Sequence, residues 1–169
     1  SMVVAERTGS TTRYRMLETL RQYGEERLDD RGETAAVRDR HLSYYLDVVA
    51  RVDDLFGSPR ALAGSALGDL EWANFRAGHD WAITTGDFAR STSIVGGLFV
   101  YAHNQVRHET QEWIAATLQL GQTNGIEDAS LYAHASAWAF LDGDMAQTLQ
   151  LAERALAVGG SDDQSTAVA

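Results

Sequence analysis

Apolar residues recur at spacings of three and four along most of this chain, and short glycine-containing turns interrupt the recurrence. Leu17, Leu20, Gly24 and Leu28 fall on one helical face, with Tyr23 beside them and Arg21, Gln22, Glu25, Glu26 and Arg27 mainly opposite. Ahead of that helix, Thr12 to Met16 alternates as a short extended segment does, whereas Val3 to Ser10 shows no period. A second helix is predicted from Glu33 to Phe56, ending at Gly57-Ser58-Pro59, with Val37, His41, Tyr44, Tyr45, Val48, Val49, Val52, Leu55 and Phe56 on its buried stripe. The third pattern, Arg60 to Thr85, carries Leu62, Leu67, Leu70, Phe75, Trp81 and Ala82, with a break expected around Gly64 to Gly68.

Asp87 then caps a fourth helix rich in small residues, Ala89, Ser91, Ser93, Gly96 and Gly97, reaching Tyr101. Each glycine costs about 1 kcal/mol against alanine in a free helix, so close helix packing is the expected compensation. Arg107 to Leu120 forms a fifth helix, Asn124-Gly125 a turn, and Asp128 to Leu141 and Met145 to Val158 a final pair joined at Gly143-Asp144. Gly159-Gly160 is expected to stop the last helix and leave 159–169 as a flexible tail. That final pair resembles a tetratricopeptide repeat, two antiparallel helices with small residues at their crossing, here Ser136 and Ala155. Earlier helix pairs turning at Gly86-Asp87 and near Gln105 echo it. The predicted fold is all-α, with antiparallel helix pairs stacked as a short tetratricopeptide-like superhelical array.

Composition narrows the chemistry. All 14 basic residues are Arg, and neither Lys nor Cys occurs, which excludes a P-loop lysine, a Schiff base, a thiol nucleophile, a disulfide and a cysteine-ligated metal within these residues. The net charge of -10 is uneven: residues 1–40 hold eight Arg and eight acids, and residues 41–169 hold six Arg and sixteen acids. An acidic body argues against direct nucleic-acid or anionic-membrane contact, and no apolar run approaches the roughly 20 residues of a membrane span. A cytoplasmic location is expected.

Three blocks together carry a family resemblance. Arg13 to Leu28 (RYRMLETLRQYGEERL), Val37 to Leu46 (VRDRHLSYYL), and Leu70 to Ala77 (LEWANFRA) with Trp81-Ala82 and Gly86-Asp87 resemble the region after the nucleotide-binding domain in bacterial signal-transduction ATPases of the NB-ARC type. Many such proteins are transcriptional regulators with a LuxR-type or SARP-type DNA-binding domain elsewhere. Ser1-Met2 reads as a tag, and 1–12 as tag and disordered leader; the resemblance implies that 13–32 are the remnant of a winged-helix end and 33–158 a tetratricopeptide-like helical domain. It implies a noncatalytic sensor or protein-interaction module whose partners are the upstream ATPase domain and an unknown protein or small-molecule effector. The phosphate- and magnesium-binding motifs of that family are absent from these residues, so no cofactor is expected. A homodimer is one way of covering the end of the stack.

Candidate chemistry is sparse. His108 and Glu112 have a metal-compatible i,i+4 spacing but read as a solvated pair, no Gly-x-Ser-x-Gly elbow occurs, and acid pairs such as Asp53-Asp54 and Glu25-Glu26 read as solvated helix surfaces or caps, so no metal site and no catalytic residue is expected. Trp81 and Trp113 read as core. Tyr101, Asn104 and Arg107 at one helix junction, with Trp138 on the first helix of the terminal pair, are the residues expected to face a partner or ligand. Two other readings compete: an all-helical small-molecule-binding protein or enzyme outside this family, and a DNA-binding fragment using the Arg-rich first helix, which its balanced charge disfavours.

Overall fold

The computed structural model describes the backbone of residues 3–8 and 11–166 and the side chains of residues 16–160. The chain divides into two compact units, Ser1–Arg40 and His41–Ala169. In the first, β1 (Val3–Thr8) pairs antiparallel with β2 (Thr11–Met16) in a register running from Val3 opposite Met16 to Thr8 opposite Thr11. The extended segment expected at Thr12 to Met16 is therefore present, and the leader expected to be disordered supplies its partner strand. Val3-Val4 and Thr8 are good strand formers, and the pairing satisfies backbone groups that a lone period-less segment would leave to water. Ser1-Met2, read as a tag, lies outside the described residues, as does 167–169.

After β2, α1 (Glu18–Arg31) ends at Gly32, which adopts the left-handed conformation and returns its N–H to Asp29 O. Arg21 donates to Glu18 and, at 2.6 Å, to Glu25, the i,i+4 pair expected from the sequence. These pairs are exposed and contribute a few tenths of a kcal/mol each. The Leu17, Leu20 and Leu28 stripe exists, yet α1 has no buried residue and Leu17 is exposed. Fourteen residues with two leucines offer too little apolar surface to close a core in so small a unit.

The second unit is helical throughout: the distal part of α2 (Thr34–Phe56), then α3 (Ala61–Thr84), α4 (Phe88–Asn104), α5 (Glu109–Asn124), α6 (Ala129–Leu141) and α7 (Met145–Thr166). Each helix from α3 onward packs on its successor, and α3 also meets α5 while α4 meets α6. That alternation is the pattern of stacked helix pairs, so the all-α class holds for this unit. No helix among the described residues is long and apolar enough to cross a membrane.

The turns follow a shared chemistry. Gly86 and Gly143 take positive φ, a conformation open to glycine without steric cost, and an aspartate follows each. The Asp87 carboxylate accepts from Arg90 N at 2.9 Å and that of Asp144 from Gln147 N at 2.9 Å, satisfying amides at the starts of α4 and α7. Asp128 does the same for α6, accepting from Ser130 N and Leu131 N.

Two sequence expectations about helix continuity change. The break expected in α3 is absent, because Gly64 and Gly68 are contact sites: a Cβ on Gly68 would lie 2.5 Å from the Tyr101 ring, and one on Gly64 2.9 Å from the Phe56 ring. Likewise Gly159-Gly160 lies inside α7, which runs to Thr166 in place of the flexible tail expected over 159–169; Gly159 sits beside Ala129 of α6. Gly97 packs on Val49 as expected of the small-residue helix. The apolar stripe of α3 also shifts. Leu62 and Leu70 are exposed, and Gly64, Gly68, Trp72, Phe75, Gly78, His79 and Ala82 are the buried positions. On α2, Leu42, Val48, Val49 and Val52 are buried while Tyr44 is exposed. Small residues bury because bulky aromatics of neighbouring helices come to them, which a search for large apolar residues misses.

Gly68→Ala is expected to lower stability by about 1–3 kcal/mol through overpacking against Tyr101. Gly160→Ala, whose Cβ meets nothing within 4 Å, is expected to raise it by up to about 1 kcal/mol. Urea unfolding midpoints of the two variants, read by circular dichroism, check the contrast.

Candidate functional site

Three of the residues expected to face a partner lie around the α4–α5 junction, and the structure uses them differently. Tyr101, in the last turn of α4, is buried at 1% exposure and belongs to the core. Its hydroxyl donates to Asp69 at 2.7 Å, and its ring meets those of Phe56 and Trp72. Burial first, then the Asp69 carboxylate, pushes the phenol well above its usual range, so Tyr101 stays a protonated donor. Asp69 is held below the usual carboxylate range by the Tyr101 hydrogen bond and by Arg107. Arg107 pairs with Asp69 and places its guanidinium 4.7 Å from the Trp72 ring centroid and 5.7 Å from that of Tyr101. Its fork is committed to joining α3 and the α4–α5 turn. Asn104 is exposed, its amide donating to Val100 O at 2.8 Å. Beside them Val106 has φ 50°, an outlier for a β-branched residue.

A second carboxylate repeats this arrangement one turn along α3. Trp72 Nε1 donates to Glu109 at 2.8 Å, and Arg76 grips the same carboxylate through Nε and Nη2. Arg76 is the main reason that Glu109 lies below its usual range. Trp72 stacks on Trp113 with centroids 4.9 Å apart, and Trp113 stacks on His79 at 5.1 Å. The imidazole of His79 exchanges a hydrogen bond with Thr117 at 3.1 Å, and burial pulls its pKa down to about 4. It is a neutral core residue, and Trp113 is core as the sequence suggested.

The fourth expected residue, Trp138, is 2% exposed on α6, and its Nε1 has no hydrogen-bond partner among the described residues. The indole sits 5.3 Å from the ring of His103 and 5.5 Å from that of His108. Close by, His134 stacks on Phe99 at 3.9 Å, and its burial lowers its pKa. Trp138 is thus a packing residue more than a platform. One edge of it does reach a groove of about 280 Å³ between α5, α6 and α7. Ala135 and Ala139 lie in that groove with Ile114, Leu118 and Leu151, and Gln111, Asp142 and Gln147 supply its polar groups. Gln111 Nε2 donates to Asp142 at 3.1 Å, and His108 Nδ1 lies 4.0 Å from the same carboxylate. His108 therefore faces Asp142 and Gln111 instead of pairing with Glu112, and no group of three or more His, Asp or Glu suited to a metal occurs among the described residues. Sequence reasoning missed the groove; the available signal was Ala135 and Ala139, four apart on one helix face.

Comparison with known proteins gives a limited kinship. Two curated relatives, one from Mycobacterium bovis and one from Mycobacterium tuberculosis, both bearing the name "Putative HTH-type transcriptional regulator", are 34% identical to this chain over 98 residues. That stretch covers 58% of the chain and 11% of each relative. No family model matches, and no solved structure matches significantly.

Two expectations follow. Trp138→Ala should cost about 3–5 kcal/mol of stability, as for other core indoles, while Asn104→Ala should stay within about 0.5 kcal/mol; denaturant titration of both variants separates packing from surface. His79 charges more readily unfolded (6.5) than folded (about 4), so the unfolded state binds the extra proton between these values. Its contribution is whole above pH 6.5, declines as pH falls towards 4, and amounts to about 3 kcal/mol at most. Urea midpoints from pH 7 to pH 4 should fall less steeply in His79→Gln than in the parent chain.

Proposed function

We propose that this chain is a noncatalytic sensor and protein-interaction module of an ATP-dependent transcriptional regulator. In this reading, a ligand or partner bound to the helical array changes how the array contacts a neighbouring nucleotide-binding domain. The observation that carries the regulatory part is the 34% identity, over 98 residues, to proteins named as transcriptional regulators, of which those residues are 11%. Their remaining length leaves room for other domains, and the NB-ARC-type resemblance of Arg13 to Leu28, Val37 to Leu46 and Leu70 to Ala77 supplies the ATPase part. The hairpin followed by α1 is consistent with the closing elements of a winged helix.

The chemistry of the helical unit favours binding over catalysis. Asp69, Glu109 and His79, which carry perturbed proton affinities, spend their polar atoms on Tyr101, Trp72, Arg107, Arg76 and Thr117. Such networks order helices. The six Arg and sixteen acids of residues 41–169 favour protein or small-molecule partners over nucleic acid, and the reading places the module in the cytoplasm. The groove between α5, α6 and α7 specifically favours a small-molecule effector, whether or not the ATPase connection holds.

Mixing this chain with the nucleotide-binding portion of its parent should give a complex by calorimetry and a several-fold change in nucleotide turnover. The absence of both binding and any change in turnover would overturn the sensor reading.

A further inference from the structure

Asp142 sits at the opposite helix end from the aspartates that open α4, α6 and α7. Asp87, Asp128 and Asp144 each accept backbone N–H groups at the start of a helix, where the helix dipole favours negative charge. Asp142 instead forms the C-terminal cap of α6, whose backbone N–H returns to Phe140 O and Trp138 O. Its carboxylate adds negative charge to the negative end of that helix, where a cation is the favoured neighbour. Among the described residues it is also the one charged residue lining the groove between α5, α6 and α7. The groove otherwise offers apolar surface from Ile114, Ala139 and Leu151, with the neutral amide of Gln111 beside the carboxylate.

We infer that this groove is a binding site for a small aliphatic primary amine, its ammonium on Asp142 and its hydrocarbon chain along Ile114, Ala139 and Leu151. At about 280 Å³ the groove lies just below the roughly 300–1,000 Å³ typical of ligand pockets, which suits a short chain and no bulky ring system. The ammonium supplies three donors and a compact positive charge. It gains from the Asp142 carboxylate and from the carbonyl end of α6 together, on a carboxylate to which Gln111 Nε2 already donates. A carboxylate of the same length meets a like charge at the same place, and an alcohol keeps the apolar contacts without the ionic one. His108, 4.0 Å from Asp142, competes for the carboxylate only when it carries a proton. This gives the effector of the sensor reading a chemical class, and it rests on that reading only for regulatory meaning; binding is a property of this chain alone.

Calorimetric titration of this chain at pH 8 with hexylamine, hexanol and hexanoate is the test. Hexylamine should bind at least about tenfold more tightly than either analogue, a difference of about 1.4 kcal/mol. Asp142→Asn should reduce that preference to under twofold with hexanol affinity unchanged, and Asp142→Glu should retain it. Chemical-shift changes on titration should centre on Ile114, Ala139 and Leu151. Equal affinity for hexylamine and hexanoate, an amine preference that survives Asp142→Asn, or shifts centred elsewhere would overturn the assignment. A loss of ATPase coupling with amine binding intact would count against the sensor reading and leave this site standing.

Discussion

A buried indole must donate its N–H or forfeit on the order of 1–3 kcal/mol, and Trp72 meets that demand through Glu109 at the first residue of α5. Much of the middle of the helical unit depends on this bond. It requires α5 to begin within reach of the centre of α3, which fixes how long the α4–α5 turn can be. Glu109 in turn needs a cation, supplied by Arg76 one helical turn beyond Trp72 on the same helix. The Tyr101–Asp69–Arg107 group does the equivalent one turn earlier on α3. The two carboxylates therefore hold α3 to α4 and α5 at adjacent levels, and the Tyr101, Trp72, Trp113 and His79 rings fill the space between them.

This arrangement explains why the residues that looked most like a binding cluster are mostly structural. Tyr101 and Arg107 combine an aromatic face, a hydroxyl and a guanidinium, the composition of an interface hot spot, and here those groups are satisfied by their own chain. Trp138 is different in kind. Its ring lies against those of His103 and His108, its N–H has no partner among the described residues, and it stands next to the groove that Asp142 edges.

Helix number, the turns at Gly86-Asp87, Asn124-Gly125 and Gly143-Asp144, and the all-α class were legible in the sequence because each rests on local chemistry. A left-handed glycine and an N-cap aspartate act within four residues of each other. The continuity of α3 through Gly64 and Gly68 was not legible, since it depends on Phe56 and Tyr101 arriving from other helices. The same holds for Leu62 and Leu70, which match the periodic template but lie off the face that those aromatics choose. Strand β1 was missed because Val3 to Thr8 has no alternating pattern of its own and is defined by its register with β2. Of the expected partner-facing residues, Asn104 is at the surface, while the burial of Tyr101 and Trp138 required knowledge of helix order in space.

The order of packing has a kinetic side. From α3 onward each helix rests on its nearest neighbours in sequence, and α3 also meets α5 and α4 meets α6, so these packings close loops of a few tens of residues. Chains built this way fold quickly and open piecemeal. Within this unit α7 is held through α6, while the Trp72–Glu109 level is tied to α3 and α5. The groove beside Asp142 includes Gln147 and Leu151 of α7 together with Gln111, Ile114 and Leu118 of α5, so whatever occupies it bridges α7 to a helix other than α6.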